Sequence, residues 1–200
     1  MEGFYLVLTA PHQDVEREYH RWYEYCHLPD IMDVPDVCFA RRFALTLQAA
    51  GAQPLPRFAA VYGLCDVAAA IAEIVARRGT EKLRSSDTVN RSLTLSACFE
   101  APLEALRVIL SGATIGLSLL ERECPSAPLK TTINAGSSPT AAVYAPASAI
   151  QTGGQPLACR AIELKGSEVQ RGEVQIGPCS IATGAEVVWA TAIGQLLSKN

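Results

Sequence analysis

The stretch Trp22-Tyr23-Glu24-Tyr25-Cys26-His27-Leu28-Pro29-Asp30-Ile31-Met32-Asp33-Val34-Pro35 joins the end of one helix to the turn that follows it. Reading back from it, Val15, Tyr19, Trp22, Tyr23 and Cys26 fall at i, i+4, i+7, i+8 and i+11, which is one buried stripe of an amphipathic helix. Asp14 stands where an N-cap belongs, and Pro29 and Pro35 are expected to end the helix. Upstream, residues 4–9 are a near-continuous apolar run, as in a strand covered on both faces. Downstream, residues 37–47 alternate: Phe39, Arg41, Phe43 and Leu45 share one face, and Cys38, Ala40, Arg42 and Ala44 share the other.

Beyond a Gly/Pro loop at 51–56, residues 58–65 read as a third strand. Asp66 then caps an Ala-rich helix with Ile71, Ile74, Val75 and Arg78 at helical spacing and Gly79 as its stop. Residues 91–99 alternate as a fourth strand. The order β-α-β-β-α-β is α+β and ferredoxin-like. It puts two helices on one face of a four-stranded sheet and leaves the opposite, apolar face to be covered. The second half shows no second Trp-Tyr helix and no second His-Leu-Pro turn. A homodimer through the sheet of this domain is therefore expected.

The quoted stretch, with Ala40-Arg41-Arg42-Phe43 after it, resembles the signature of the EthD-like branch of the dimeric α/β-barrel superfamily. In that branch W-Y-x-x-x-H-[L/V]-P-[D/E] ends the first helix, V-P-G follows, and A-R-R-[F/Y] lies on the second strand. Asp36 stands here where the family has glycine, at a position where glycine would permit a positive φ. The resemblance spans about the first hundred residues. It implies two such domains packed sheet to sheet around a pocket for a small, largely apolar molecule. Members of the superfamily include cofactor-independent monooxygenases, polyketide cyclases, muconolactone isomerases and haem enzymes, so fold alone does not choose the reaction.

All five Phe, five of the six Tyr and all three His lie before residue 106, whereas the rest is rich in Ala, Gly, Ser, Thr and Pro. That shift divides the chain into a domain at 1–102, a connecting segment at 103–127 and a small α+β appendage at 128–200. Within the appendage, residues 141–144, 157–164 and 173–176 read as strands and residues 186–197 as a helix capped by Thr183. Residues 106–120 read as buried core, too short and too interrupted to cross a bilayer.

Composition excludes several classes. Of the 200 residues 49% are hydrophobic and 18% charged, with a net charge of -3 and no basic stripe, so neither a disordered chain nor a nucleic-acid partner is expected. The acidic start Met1-Glu2-Gly3-Phe4 is unlike a signal peptide. Seven dispersed cysteines without C-x-x-C read as free thiols in a reducing cytoplasm.

For chemistry, a regular helix would place Glu16, His20, Tyr23 and His27 along one flank of its stripe. A half-buried histidine there suits proton transfer to an enolisable or phenolic substrate. His27 is the candidate proton carrier, with Asp30 to orient its ring; the alternative is that His27 only terminates the helix. Tyr23, His20 and Trp22 are candidate substrate contacts, with core packing as the competing reading for Tyr23 and Trp22. Arg42, beside the small Cys38, Ala40 and Ala44, can hold a carboxylate or enolate, or else be a solvated edge arginine. His20 and His27 are too far apart on a helix to share a metal, and no phosphate cradle or nucleophile elbow occurs. The expectation is a cofactor-free, metal-free enzyme acting on a small apolar or aromatic molecule by acid–base chemistry, or a binding protein of the same fold, with no membrane partner.

Overall fold

The computed structural model describes residues 1–46, 56–120, 141–144, 155–156, 161–166 and 188–199. Strand β1 (Gly3–Thr9) alternates as its pattern requires, sending Phe4, Leu6 and Leu8 to one core and Tyr5 and Val7 to another. A helical rod follows: α1 (Glu16–Trp22), a π-helical segment (Tyr23–His27) and α2 (Leu28–Met32). Asp14 does not cap it. Asp14 sits at φ 65, and Val15 takes the N-cap position without a side-chain bond.

Pro29 does not end the rod either, but lies in the first turn of α2. A proline ring ordinarily clashes with the carbonyl four residues back and lacks the donor for it. The wide π turn just before it breaks that ladder, so the helix passes through Pro29 and stops at Met32. Asp36 adopts φ 61, the conformation for which glycine is the usual residue.

Strands β2 (Val37–Thr46) and β3 (Phe58–Leu64) pair antiparallel, with Arg42 opposite Ala60 and Ala40 opposite Tyr62. An irregularity between Val37 and Phe39 shifts the register there. Cys38 in that shift and Cys65 just after β3 are joined by a disulfide, their Cα atoms 6.3 Å apart, which corrects the expectation that these two thiols are free. Asp66 accepts from the Ala69 amide at 3.0 Å and caps α3 (Val67–Arg77); Gly79 follows at φ 76. A 3₁₀ turn (Arg91–Leu93) delays β4 to Leu95–Glu100.

Residues 103–120 are not slack connecting chain: they form α4 (Leu103–Ser111) and β5 (Thr114–Leu120). The remaining strands are β6 (Ala141–Tyr144), β7 (Gln155–Pro156), β8 (Ala161–Gly166) and β9 (Val188–Ser198). β6 coincides with the expected strand, and β8 holds the carboxy-terminal part of the one expected at 157–164. The helix expected at 186–197 is instead β9. Adjacent apolar positions there reflect a strand with apolar side chains on both faces: Ala190 is buried in one core with Ala192 and Leu196 partly buried against it, Ile193 is partly buried against the other, and Leu197 is exposed. Thr183 and the strand expected at 173–176 lie outside the described residues.

The protein is α+β, with one nine-stranded sheet in the order β6-β8-β5-β9-β2-β3-β1-β4-β7. Its first-half strands run β4-β1-β3-β2 and four of its second-half strands run β9-β5-β8-β6, so these two quartets share one order and one antiparallel pattern, while the two-residue β7 pairs parallel with β4 at the far edge. They meet where β9 pairs with β2. One core lies under α1, α2 and α3. The other gathers Phe4, Leu6, Phe39, Phe43, Val61 and Phe99 against Leu106, Ile109 and Leu110 of α4 and against Ile115, Leu117, Leu164 and Ala190.

The apolar face that needs a cover is thus buried by the chain's own second half. The expectation of a homodimer through this face rests on its being bare, and it is not bare. Burying the three α4 side chains alone contributes roughly 6 kcal/mol, at about 2 kcal/mol each. No helix among the described residues is long and apolar enough to cross a membrane.

Candidate functional site

The core under α1 is unusually rich in polar rings. Tyr19 and Tyr23 point from the rod into the sheet and are buried, and their hydroxyls are hydrogen-bonded: Tyr19 to Thr9 Oγ1 at 2.6 Å and also to Arg42, and Tyr23 to Tyr62 Oη at 2.7 Å. Burial raises all three phenol pKa values above the ordinary tyrosine value, so these hydroxyls stay protonated at neutral pH.

Into this setting β2 delivers Arg42. Its guanidinium carbon lies 3.9 Å from the Tyr23 ring centre and 5.6 Å from that of Tyr19, and the residue is 4% exposed. Nη2 of Arg42 lies 3.2 Å from His20 Nδ1. A guanidinium only donates, so Nδ1 accepts and the imidazole proton is assigned to Nε2. Nε2 faces Glu16 Oε1 at 3.6 Å, one helical turn back, and Glu16 Oε2 pairs with Arg57 at 2.7 Å. The result is a chain Arg42, His20, Glu16, Arg57 running from the core to the surface. Phe58 lies edge-on to the His20 ring at 4.7 Å. Burial and then the Arg42 charge lower the His20 pKa, against Glu16, which raises it.

His27 lies elsewhere. The π turn moves it off the flank of Glu16 and His20, and its ring stacks on Trp22 at 4.7 Å and meets Tyr23 edge-on at 4.8 Å. Burial pulls its pKa down to about 4, opposed by Asp30 and assisted by Arg42 and Arg78. Nδ1 of His27 and Nε1 of Trp22 are buried without a hydrogen-bond partner among the described residues. Asp30 does not orient the ring through a hydrogen bond. Its carboxylate is taken by Arg84, with Nη2 at 2.7 Å, Nε at 3.0 Å and the backbone amide at 3.0 Å, contacts that hold its pKa below the usual value.

The structure therefore brings Tyr23, His20 and Arg42 together, with Trp22 and His27 behind Tyr23, and sets Asp30 apart. Sequence reading missed Tyr62, Thr9 and Arg57 as members of the cluster. Alternation puts Tyr62 and Arg42 on the same side of neighbouring strands, but only the β2–β3 register makes them neighbours. No three His, Cys, Asp or Glu side chains among the described residues converge as metal ligands.

No family model matches this chain, and no curated protein matches it.

Proposed function

We propose that the chain is a cofactor-free protein that binds a small apolar or aromatic molecule and moves a proton on it, with the Arg42–His20 pair as its centre. The supporting observation is the pairing itself: a buried guanidinium hydrogen-bonded to a neutral imidazole whose other edge faces a carboxylate. Arg42 is suited to hold an enolate or phenolate oxygen while His20 exchanges the proton. In this reading residues 1–102 are a ferredoxin-like domain of EthD-like type, supported by the strand order β4-β1-β3-β2, and the carboxy-terminal quartet takes the place that a second copy holds in a dimeric barrel. His20 replaces His27 as proton carrier, because an imidazole with a pKa near 4 is a weak base at neutral pH.

Exchange of α-hydrogens in D2O, followed by NMR on a set of enolisable aryl ketones, tests the reading. The folded protein is expected to accelerate exchange by roughly 100-fold or more over buffer, and His20→Gln to abolish the gain. No acceleration on any ketone contradicts catalysis. A second reading, binding without chemistry, draws support from the buried, hydrogen-bonded state of every phenol in the cluster. Ligand binding in the same samples without exchange would establish it.

A further inference from the structure

Arg42 carries its charge into a nearly closed setting, and among the described residues no carboxylate pairs with it directly. Among the described residues the one acid in its chain of contacts, Glu16, is one residue removed and is already paired with Arg57, so two guanidinium charges face one carboxylate. A buried cation without an opposite charge is unfavourable, and stacking on the Tyr23 ring with neutral hydrogen-bond partners at His20 and Tyr19 offsets only part of that. The surplus is a single positive charge in an aromatic surround of Tyr19, Tyr23 and Phe58. His20, half-buried with its side chain 32% exposed, stands between this charge and solvent.

We propose that the cluster is a site for a small planar organic anion, a carboxylate or enolate, that docks on the Arg42 guanidinium, and that His20 takes up one proton as it docks. The proposal rests on the small-molecule reading above and names its charge class. An oxygen anion competes with His20 Nδ1 for the Nη2 donor, and a fork of guanidinium donors matches two carboxylate oxygens better than one imidazole nitrogen. Released from accepting, Nδ1 is free to be protonated and to donate to the anion in turn.

The groups that face His20 fix the sign of the linkage. Glu16 on its own helix favours the imidazolium; Arg42 from β2 and Arg57 beside β3 oppose it; Tyr19 and Phe58 contribute uncharged rings. A bound anion cancels the Arg42 charge, so the imidazolium is more stable in the complex than in the free protein. Binding consequently takes up a proton and weakens as pH rises, by at most about tenfold per pH unit for one proton.

Titration calorimetry with benzoate and with its neutral isostere benzamide tests this, over a pH series and in two buffers of different ionisation enthalpy. Benzoate is expected to bind at least about tenfold more tightly than benzamide, with proton uptake; His20→Gln is expected to flatten the pH dependence. Arg42→Lys, which keeps the charge and loses the fork, is expected to weaken benzoate by roughly tenfold with unchanged circular dichroism. Equal affinity for benzamide and benzoate, no proton uptake, or an Arg42→Lys variant as tight as the wild type overturns the proposal while leaving a small-molecule site standing. Binding of neither compound overturns both this proposal and the reading beneath it.

Discussion

A histidine and an arginine enter the same core under α1 and meet different fates. Arg42 lies on the face of Tyr23 and donates to His20, whereas His27 is held neutral between Trp22 and Tyr23. The second fate has a measurable consequence. The folded-state pKa of His27, about 4, lies below the ordinary 6.5, so the unfolded chain binds the proton more readily. The stability tied to this group is present above pH 6.5 and is lost as pH falls toward the folded value. Unfolding free energy from urea titrations is expected to drop by about 2 kcal/mol between about pH 7 and pH 5, and His27→Gln to remove most of that drop. An unchanged slope in the variant would show that the imidazole is not buried in the neutral form.

Among the elements, those whose local pattern is enough to define them were the legible ones. The alternation of β1 to β4 and the capped start of α3 at Asp66 follow from local pattern, because each faces one core on each side at period two or caps its own amides. The π turn was not legible: nothing in Tyr23-Glu24-Tyr25-Cys26-His27 announces an i to i+5 ladder, so the helical wheel placed His27 beside His20. The same turn let Pro29 remain inside the rod. β9 failed for the opposite reason, since a strand apolar on both faces imitates a helix when its two neighbours, β2 and β5, are unknown.

Packing between elements also decides which small residues matter. Gly63 on β3 lies opposite Phe39, and a Cβ there would collide with the Phe39 ring. Since Phe39 is fully buried, the ring has nowhere to move cheaply. Gly63→Ala is expected to destabilise the protein by roughly 1–3 kcal/mol in chemical denaturation, and a stability equal to wild type would show that the ring is not seated there.

At the level of the whole molecule, the two quartets of strands with a shared order explain why one chain covers a face that the first hundred residues cannot cover alone. No residue motif announces the second quartet. Its strands are separated by long Ala/Gly/Ser/Thr-rich stretches, and its likeness to the first lies in connectivity, which hydrophobic periodicity does not encode. The candidate site shares this history. Arg42 and His20 were visible as residue types, but their meeting depends on β2 packing beneath α1, with the other face of β2 closed by α4 and its far edge by β9.

Isotope-filtered NMR with methyl-labelled Ile and Val and protonated Phe, on a mixture of labelled and unlabelled full-length chains, measures this covering most directly. Contacts from Ile109 of α4 to Val61, Phe39 and Phe43 are predicted within a single chain. Finding those contacts only between chains, or not at all, would contradict the account.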